Sequence, residues 1–387
     1  MKNIITNLPT LQHEKILPPW LRIFKTFQSQ GCNVFVNTGP FVKKLETIGD
    51  VYDFDWLAEE EKGLLEKDKT VTKFGFLLHS LKRNLLVLKN SSKVFTAGRF
   101  DVVYTPSTVL DFVAYPYYLK VIGKKIGWAT TLANIVPISD PGNKILRFLG
   151  WIFFQLSVLM IKKADVVFAS TPELKGYLLR RGFDPKKIVE TSFAVESDMI
   201  QKAKEGEKKI DALFVGRINE TKGIYDMLKA LKIITGRYPD FQFAIMGDGD
   251  EKTKTRFKKE MKKLDLSKNV QFLGYRDGIE KYNIIKSAKC FWFLSVSRSE
   301  SFGMALLEAV CSGIPSFAYN LPQFSWLYPN GEVDISPKGD YKLVAEKVLT
   351  LFENGNFSNE KGKLLLGKYN WESVAEKEYN AIKKMFH

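Results

Sequence analysis

IDALFVGRINETKG, residues 210–223, decides the fold class of this chain. IDALFV is a short apolar, β-prone run that stops at Gly216. A polar loop carrying Arg217 and Lys222 then leads to Gly223, where a helical pattern begins and runs to Gly236. A strand that passes through a short loop into a helix is half of a parallel βαβ unit. The alternation continues downstream. FQFAIM (241–246) reads as a strand, followed by a charged helix over 251–264, the strand VQFLG (270–274) and a helix over 280–288. CFWFLSV (290–296), a helix over 303–312 and IPSFAY (314–319) follow. This is the pattern of a parallel sheet wrapped by helices.

Upstream the same grammar is looser. NIITN, NVFVNTG, DVVYTPS, KIGWATT and DVVFAS are short β-rich runs ending in small or polar residues, with amphipathic segments between them. The longest such segment, 70–89, places Phe74, Leu77, Leu78, Leu81 and Leu85 at helical spacing. ESDMIQKAKEGEKK (196–209) is polar and free of aromatic residues, which predicts a linker. WESVAEKEYNAIKKMF (371–386) predicts a closing amphipathic helix. The expected organisation is a first α/β domain over 1–195, a second over 196–370 and a terminal helix over 371–387. Ligands of open α/β sheets bind outside the carboxyl ends of the strands, so the loops after the strands are where chemistry is expected.

Two loops carry suitable groups. In FVGRINETKG (214–223) the Arg217 guanidinium and the Lys222 ammonium stand at a helix start, a cradle suited to the dispersed charge of a diphosphate. In SRSESFGMALLEAVCSGIP (297–315), Glu300 precedes a helix that opens at Gly303, and Glu308 lies two turns inside it. The free amides of that helix start can bind phosphate oxygens. A carboxylate before the helix can accept from sugar hydroxyls, and one two turns in can hold a ribose diol. An arginine and a lysine in a loop are more often only solvated, and two glutamates eight apart are alone a coincidence; the strand–loop–helix context gives them meaning.

These motifs resemble the family-4 retaining glycosyltransferases of the GT-B fold class. Gly216-Arg217…Lys222-Gly223, Gly247-Asp248-Gly249, Phe272-Leu273-Gly274 and Glu300…Glu308 occur in the family's order. ASTPELKGYLLRRGFDPKKI (169–188) resembles the segment that closes the family's first domain, and the Trp371 helix resembles one that crosses back to it. The match covers the second domain well and the first in outline. The resemblance implies two facing Rossmann-like domains with a central cleft, and an enzyme moving a hexosyl or related group from a nucleotide-diphosphate sugar, such as a UDP-sugar, to a glycan, lipid-linked or small-molecule acceptor in polysaccharide biosynthesis. Arg217 and Lys222 would neutralise the departing diphosphate, and Glu300 would contact the transferred sugar. Gly216, Gly247, Ser301, Phe302, Gly303, Met304 and Ala305 would line the nucleotide diphosphate, Glu308 would hold the ribose, and Tyr275 and Arg276 would lie along the base. No cofactor or metal is implied beyond the donor. Asp53 and Asp55 in YDFDW have DxD spacing but lie in an acidic, irregular stretch and read as surface residues.

The first domain departs from the family at Thr6-Asn7-Leu8-Pro9, which lacks a glycine-rich turn. It departs again at Ala133-Asn134, where relatives carry His-Asp, and at Phe193-Ala194, where they carry Asn-Gly. Loss of the histidine predicts a relaxed or unusual donor preference. A catalytically weak or inactive donor-binding partner subunit is the alternative reading. Among the three histidines, His13 lies in the first loop, where other GT-B families place one facing the acceptor; an exposed residue without a role is the plainer reading. His79 reads as a helix-face residue, and His387 is terminal.

Composition narrows the field further. Three cysteines without metal-ligand spacing argue against disulfide and zinc frameworks and fit a cytoplasmic protein. The opening MKNIITNLPT lacks a signal-peptide core, and the apolar stretch within 143–163 is too short and interrupted to span a bilayer. The net charge is +15, and residues 1–190 hold 27 Lys and Arg against 17 Asp and Glu. That excess suits an anionic partner or a solvated lysine-rich surface. No nucleic-acid motif accompanies it, so contact with the inner face of an anionic membrane, through the basic-flanked aromatic stretch from Arg147 to Lys163, is expected in place of nucleic-acid binding.

Overall fold

The computed structural model describes residues 2–8, 18–38, 51–53, 85, 100–138, 144–297, 300 and 302–386. His13, His79, His387, Asp55 and Ser301 lie outside them, as does all of 70–89 except Leu85. The chain divides into two compact units, 1–193 with 371–387, and 194–370.

The first unit is a seven-stranded, wholly parallel sheet. Its elements are β1 (Asn3–Leu8), α1 (Pro18–Ser29), β2 (Asn33–Thr38), β3 (Val51–Asp53), β4 (Val102–Thr105), α2 (Leu110–Val121), β5 (Gly127–Leu132), α3 (Lys144–Met160), β6 (Val166–Ala169), α4 (Pro172–Arg180) and β7 (Ile188–Glu190). Strand order is β3-β2-β1-β4-β5-β6-β7. Every residue of β4 and β6 is buried, the signature of strands covered on both faces. α4 shows how local sequence sets a boundary: Thr171 Oγ1 accepts from the Leu174 amide at 3.2 Å, Pro172 occupies the first turn and Arg180 the last. Asp53 ends the edge strand β3 and pairs with Thr38; a three-residue strand is too short to announce itself by alternation.

Trp371–Lys383, labelled α13 from its place in the chain, belongs to this first unit and packs on α1. Its buried face meets an aromatic cluster. Tyr104 of β4 lies edge-on to Phe24 and Phe27, and Phe27 in turn meets Tyr379. The Tyr104 hydroxyl donates to Glu378 Oε2 at 2.7 Å, with both side chains buried.

The second unit opens with α5 (Ser197–Lys202). It continues through β8 (Ile210–Val215), α6 (Ile224–Thr235), β9 (Phe243–Met246), α7 (Glu251–Lys263), β10 (Val270–Gly274), α8 (Gly278–Lys286), β11 (Ala288–Phe293), α9 (Met304–Cys311), β12 (Ser316–Tyr319), α10 (Phe324–Leu327), β13 (Asp334–Ser336), α11 (Tyr341–Asn354) and α12 (Glu360–Leu364). Strand order β10-β9-β8-β11-β12-β13 is again parallel throughout. Ile224, Met227, Leu228, Leu231 and Ile234 form the buried stripe of α6. Trp292 stacks on Phe243 with ring centroids 4.9 Å apart. Each such side chain contributes about 1.5–3 kcal/mol of burial. The expected linker 196–209 is instead folded onto this unit. Ile200 and Ala203 are buried, the Lys204 amide donates to Asn283 Oδ1 at 2.9 Å, and Lys208 Nζ donates to the carbonyls of Lys286 and Ala288.

Candidate donor site at the switch point of the second sheet

In the order β10-β9-β8-β11-β12-β13, neighbouring β8 and β11 send their following connections to opposite sides, leaving a crevice at their carboxyl ends. The loop after β8 holds Gly216, Arg217 and Lys222; the loop after β11 holds Glu300. Backbone bonds fix both. The Gly216 amide donates to Met246 O, Ile218 N to Asp248 O and Gly247 N to Gly274 O, so the ends of β8, β9 and β10 form one floor. Strand β11 ends at Phe293, earlier than its apolar sequence suggests, and Leu294–Val296 turn toward the first loop. Val296 N donates to Thr221 O at 2.9 Å and Ser295 Oγ to the same carbonyl at 3.2 Å. The approach is so close that a Cβ on Gly223, at φ +73°, would stand 1.9 Å from Leu294 O.

Lys222 Nζ donates to Glu300 Oε1 as an ion pair, and lies 5.8 Å from the centroid of the Phe293 ring. Ser295 Oγ also donates to Glu300 Oε1, at 3.4 Å, and Gln323 Nε2 holds the Glu300 carbonyl at 2.9 Å. Arg217 is exposed and, among the described residues, makes no hydrogen bond or ion pair. α9 begins after Gly303, whose φ of +70° turns the chain into the helix, and its first turn leaves the Met304 and Ala305 amides without intrahelical acceptors. Phe302 is turned inward, edge-on to Trp326 and Tyr369, so its ring packs the core and only its backbone can face a ligand.

Glu308, half-buried on α9, is held by two groups the sequence reading did not find. Lys281 Nζ donates to Glu308 Oε1 at 2.6 Å and the Tyr282 hydroxyl to the same oxygen at 3.0 Å. Both partners lie on α8. Burial, then the adjacent carboxylate, push the Tyr282 phenol far above its ordinary range, so it remains a donor. Tyr275 is 73% exposed at the end of β10, and Arg276 Nε pairs with Glu280 at 2.9 Å. In the first unit Ala133 follows β5, half-buried, with Ser170 Oγ donating to its carbonyl at 3.4 Å.

Solved structures share this architecture. Sucrose-phosphate synthase from Thermosynechococcus elongatus superposes with a TM-score of 0.77 at 15% identity, over 100% of this chain and 99% of that one. Anabaena HepE in complex with UDP-glucose gives 0.72 at 14%, over 99% and 100%. The fold is the two-domain α/β GT-B type. In sequence, residues 195–363 match the model of the glycosyl transferases group 1 family. It is 30% identical over 168 residues to the phosphatidyl-myo-inositol mannosyltransferase of Mycobacterium leprae, an alignment covering 42% of this chain and 43% of that protein. It is 26% identical over 338 residues to the uncharacterized glycosyltransferase MJ1059 of Methanocaldococcus jannaschii, covering 77% and 80%. The chain thus spans less than half the length of the mannosyltransferase, and most of the archaeal relative.

Proposed function

We propose that this chain is a retaining glycosyltransferase that takes a sugar from a nucleotide diphosphate, with the donor held in the second unit. One observation carries this reading: the switch point brings Lys222 and Glu300, 78 residues apart, into contact on loops tied together by backbone bonds. Arg217, Lys222 and the α9 amides supply the positive charge that a departing diphosphate needs, with no metal ion called for. In the reaction the bond from the anomeric carbon to the diphosphate oxygen breaks. The acceptor hydroxyl oxygen bonds to that carbon on the same face, and its proton passes to the departing diphosphate, so retention needs no strong base from the protein. Stabilising the leaving charge is the main contribution of the site. Glu300 holds Lys222 in the donor-free protein and accepts from sugar hydroxyls once the diphosphate engages the lysine. HepE has been captured with UDP-glucose, which makes UDP-sugars the first donors to test. A calorimetric screen of UDP-, GDP-, ADP- and TDP-sugars, followed by transfer assays, tests the reading; no binding of any of them overturns it.

Glu308→Ala is expected to weaken binding of the sugar-free nucleoside diphosphate by about tenfold or more, since a hydrogen bond to a charged group contributes about 1.5–3 kcal/mol. Glu300→Ala is expected to spare that affinity and to slow transfer. The opposite ranking by calorimetry would exchange the two roles.

For the acceptor we propose a lipid-linked or glycan hydroxyl met at an anionic membrane surface. Support comes from α3, where Ile145, Phe148, Leu156 and Leu159 are all exposed and, at helical spacing, share one stripe. Lys144, Lys162 and Lys163 flank it, all exposed. Among the described residues no helix is long and apolar enough to cross a membrane, so such contact would be peripheral. Flotation with acidic liposomes is expected to be salt-sensitive and lost in Phe148→Ser/Leu159→Ser; no flotation at any ionic strength would leave a soluble acceptor.

A further inference from the structure

The carboxyl ends of the first sheet face away from a second cavity at its amino ends. This cavity, of about 950 Å³, lies where β5 and β6 begin and where α13 crosses. Its volume falls within the range of small-molecule sites. Five lysines from three separate chain segments line it: Lys120 in the last turn of α2 and Lys125 in the connection to β5, Lys186 from the turn before β7, and Lys377 and Lys384 from the terminal helix region. Two carboxylates oppose them. Asp165 is already engaged, with Oδ2 paired to Lys120 at 2.6 Å and accepting from the Trp128 amide at 2.8 Å. Glu376 remains. Among the described residues Lys125, Lys186, Lys377 and Lys384 have no ion-pair partner. Behind the lysines the wall is apolar, through Val166, Val189 and Met385.

Cations gathered in one concavity raise the local potential, and low-dielectric walls concentrate that field. An anion entering there relieves their repulsion and gains charge-assisted hydrogen bonds from several ammonium groups at once. Compact ammonium groups suit phosphate as point charges, and the apolar wall suits a hydrocarbon portion of the same molecule. We propose that this cavity is a second ligand site, separate from the donor loops, for a multiply charged phosphate group. The phosphate would belong either to a free metabolite or to a lipid headgroup.

The experiment uses the full chain carrying Arg217→Ala and Lys222→Ala, so that phosphate bound at the donor loops does not contribute. Titration calorimetry with inorganic pyrophosphate and with dihexanoyl phosphatidic acid is expected to show one site. Adding Lys125→Gln, Lys186→Gln, Lys377→Gln and Lys384→Gln is expected to weaken it by about tenfold or more. Tighter binding of the lipid identifies a headgroup site; tighter binding of pyrophosphate identifies a free phosphate. All four positions are exposed, and an unchanged melting temperature checks the fold. A charge control, replacing four exposed lysines of α7 in the second unit, Lys252, Lys258, Lys259 and Lys262, is expected to bind as the parent does. Binding of neither probe, unaltered affinity in the four-lysine variant, or an equal loss in the control would each overturn the proposal.

Discussion

Lys222→Ala is expected to lower the rate of sugar transfer by about 100- to 1000-fold while leaving the protein folded. Removing one preorganised donor to a developing oxyanion costs about 3 kcal/mol in the transition state. The geometry makes Lys222 more than a nearby cation. Its loop is pinned through Thr221 O to Ser295 and Val296, and the adjoining Gly223 lies against Leu294. The ammonium is thus held in place by Glu300 without a ligand, the preorganisation that its proposed role requires. The fold depends on other groups: β8 and α6 are held by their buried apolar faces. Among the described residues, loss of the lysine leaves Glu300 with Ser295 as its side-chain donor, so a modest drop in melting temperature is expected beside the large loss in rate. Arg217→Ala, at an exposed position without a hydrogen-bond or ion-pair partner among the described residues, should slow transfer with no such drop. Single-turnover rates set against melting curves separate the two effects. Near-normal turnover in both variants would remove the diphosphate assignment.

Glu378→Gln is expected to stabilise the protein at neutral and alkaline pH and to flatten its pH dependence. Burial pushes the Glu378 carboxyl up to about 8, against a weaker opposing effect of the Tyr104 hydroxyl. The sign follows from proton counting. Between the ordinary glutamate range near 4.5 and about pH 8 the folded protein keeps a proton that the unfolded chain has released. The contribution to stability is therefore complete below the lower value and is lost as pH rises through the upper one. By pH 7 the loss is on the order of 3 kcal/mol, and the neutral amide, which still accepts from Tyr104, avoids it. Denaturant melts at pH 5, 7 and 9 read this directly. Parallel pH profiles for the parent and the variant would show that the carboxylate is ionised in the folded state.

What the sequence makes legible depends on how local each signal is. The loops of the second unit announce themselves because a strand end, a glycine and a cation fall within ten residues, and the structure draws Lys222 and Glu300 together. Lys281 and Tyr282 gave no such signal: they belong to another helix, and only the tertiary fold brings them to Glu308. The segment 196–209 misleads in the other direction. It is polar enough to read as a linker, yet one buried isoleucine and a few backbone bonds dock it. β3 and β7, three residues each, fall below the length at which alternation can be read. The inward face of Phe302 is hidden for the same reason as Lys281, since Trp326 and Tyr369 lie far along the chain.

The second unit enters and leaves through adjacent backbone segments: Val195 N donates to Tyr369 O at 3.0 Å, and Val195 forms an isolated parallel bridge with Asn370. Residues 194–370 are thus a cassette spliced into the first unit, contiguous in sequence, whereas the first unit is split. On the ribosome this sets an order. The cassette has all its strands before α13 is made, while the first unit must wait with Tyr104 and the face of α1 uncovered until Glu378 emerges. The aromatic cluster under that helix is then the last part of the molecule to close and the part most exposed to a chaperone in the interval. In evolution the paired ends make the cassette exchangeable, since a different module can be joined at the same two adjacent points without redrawing the sheet that receives it.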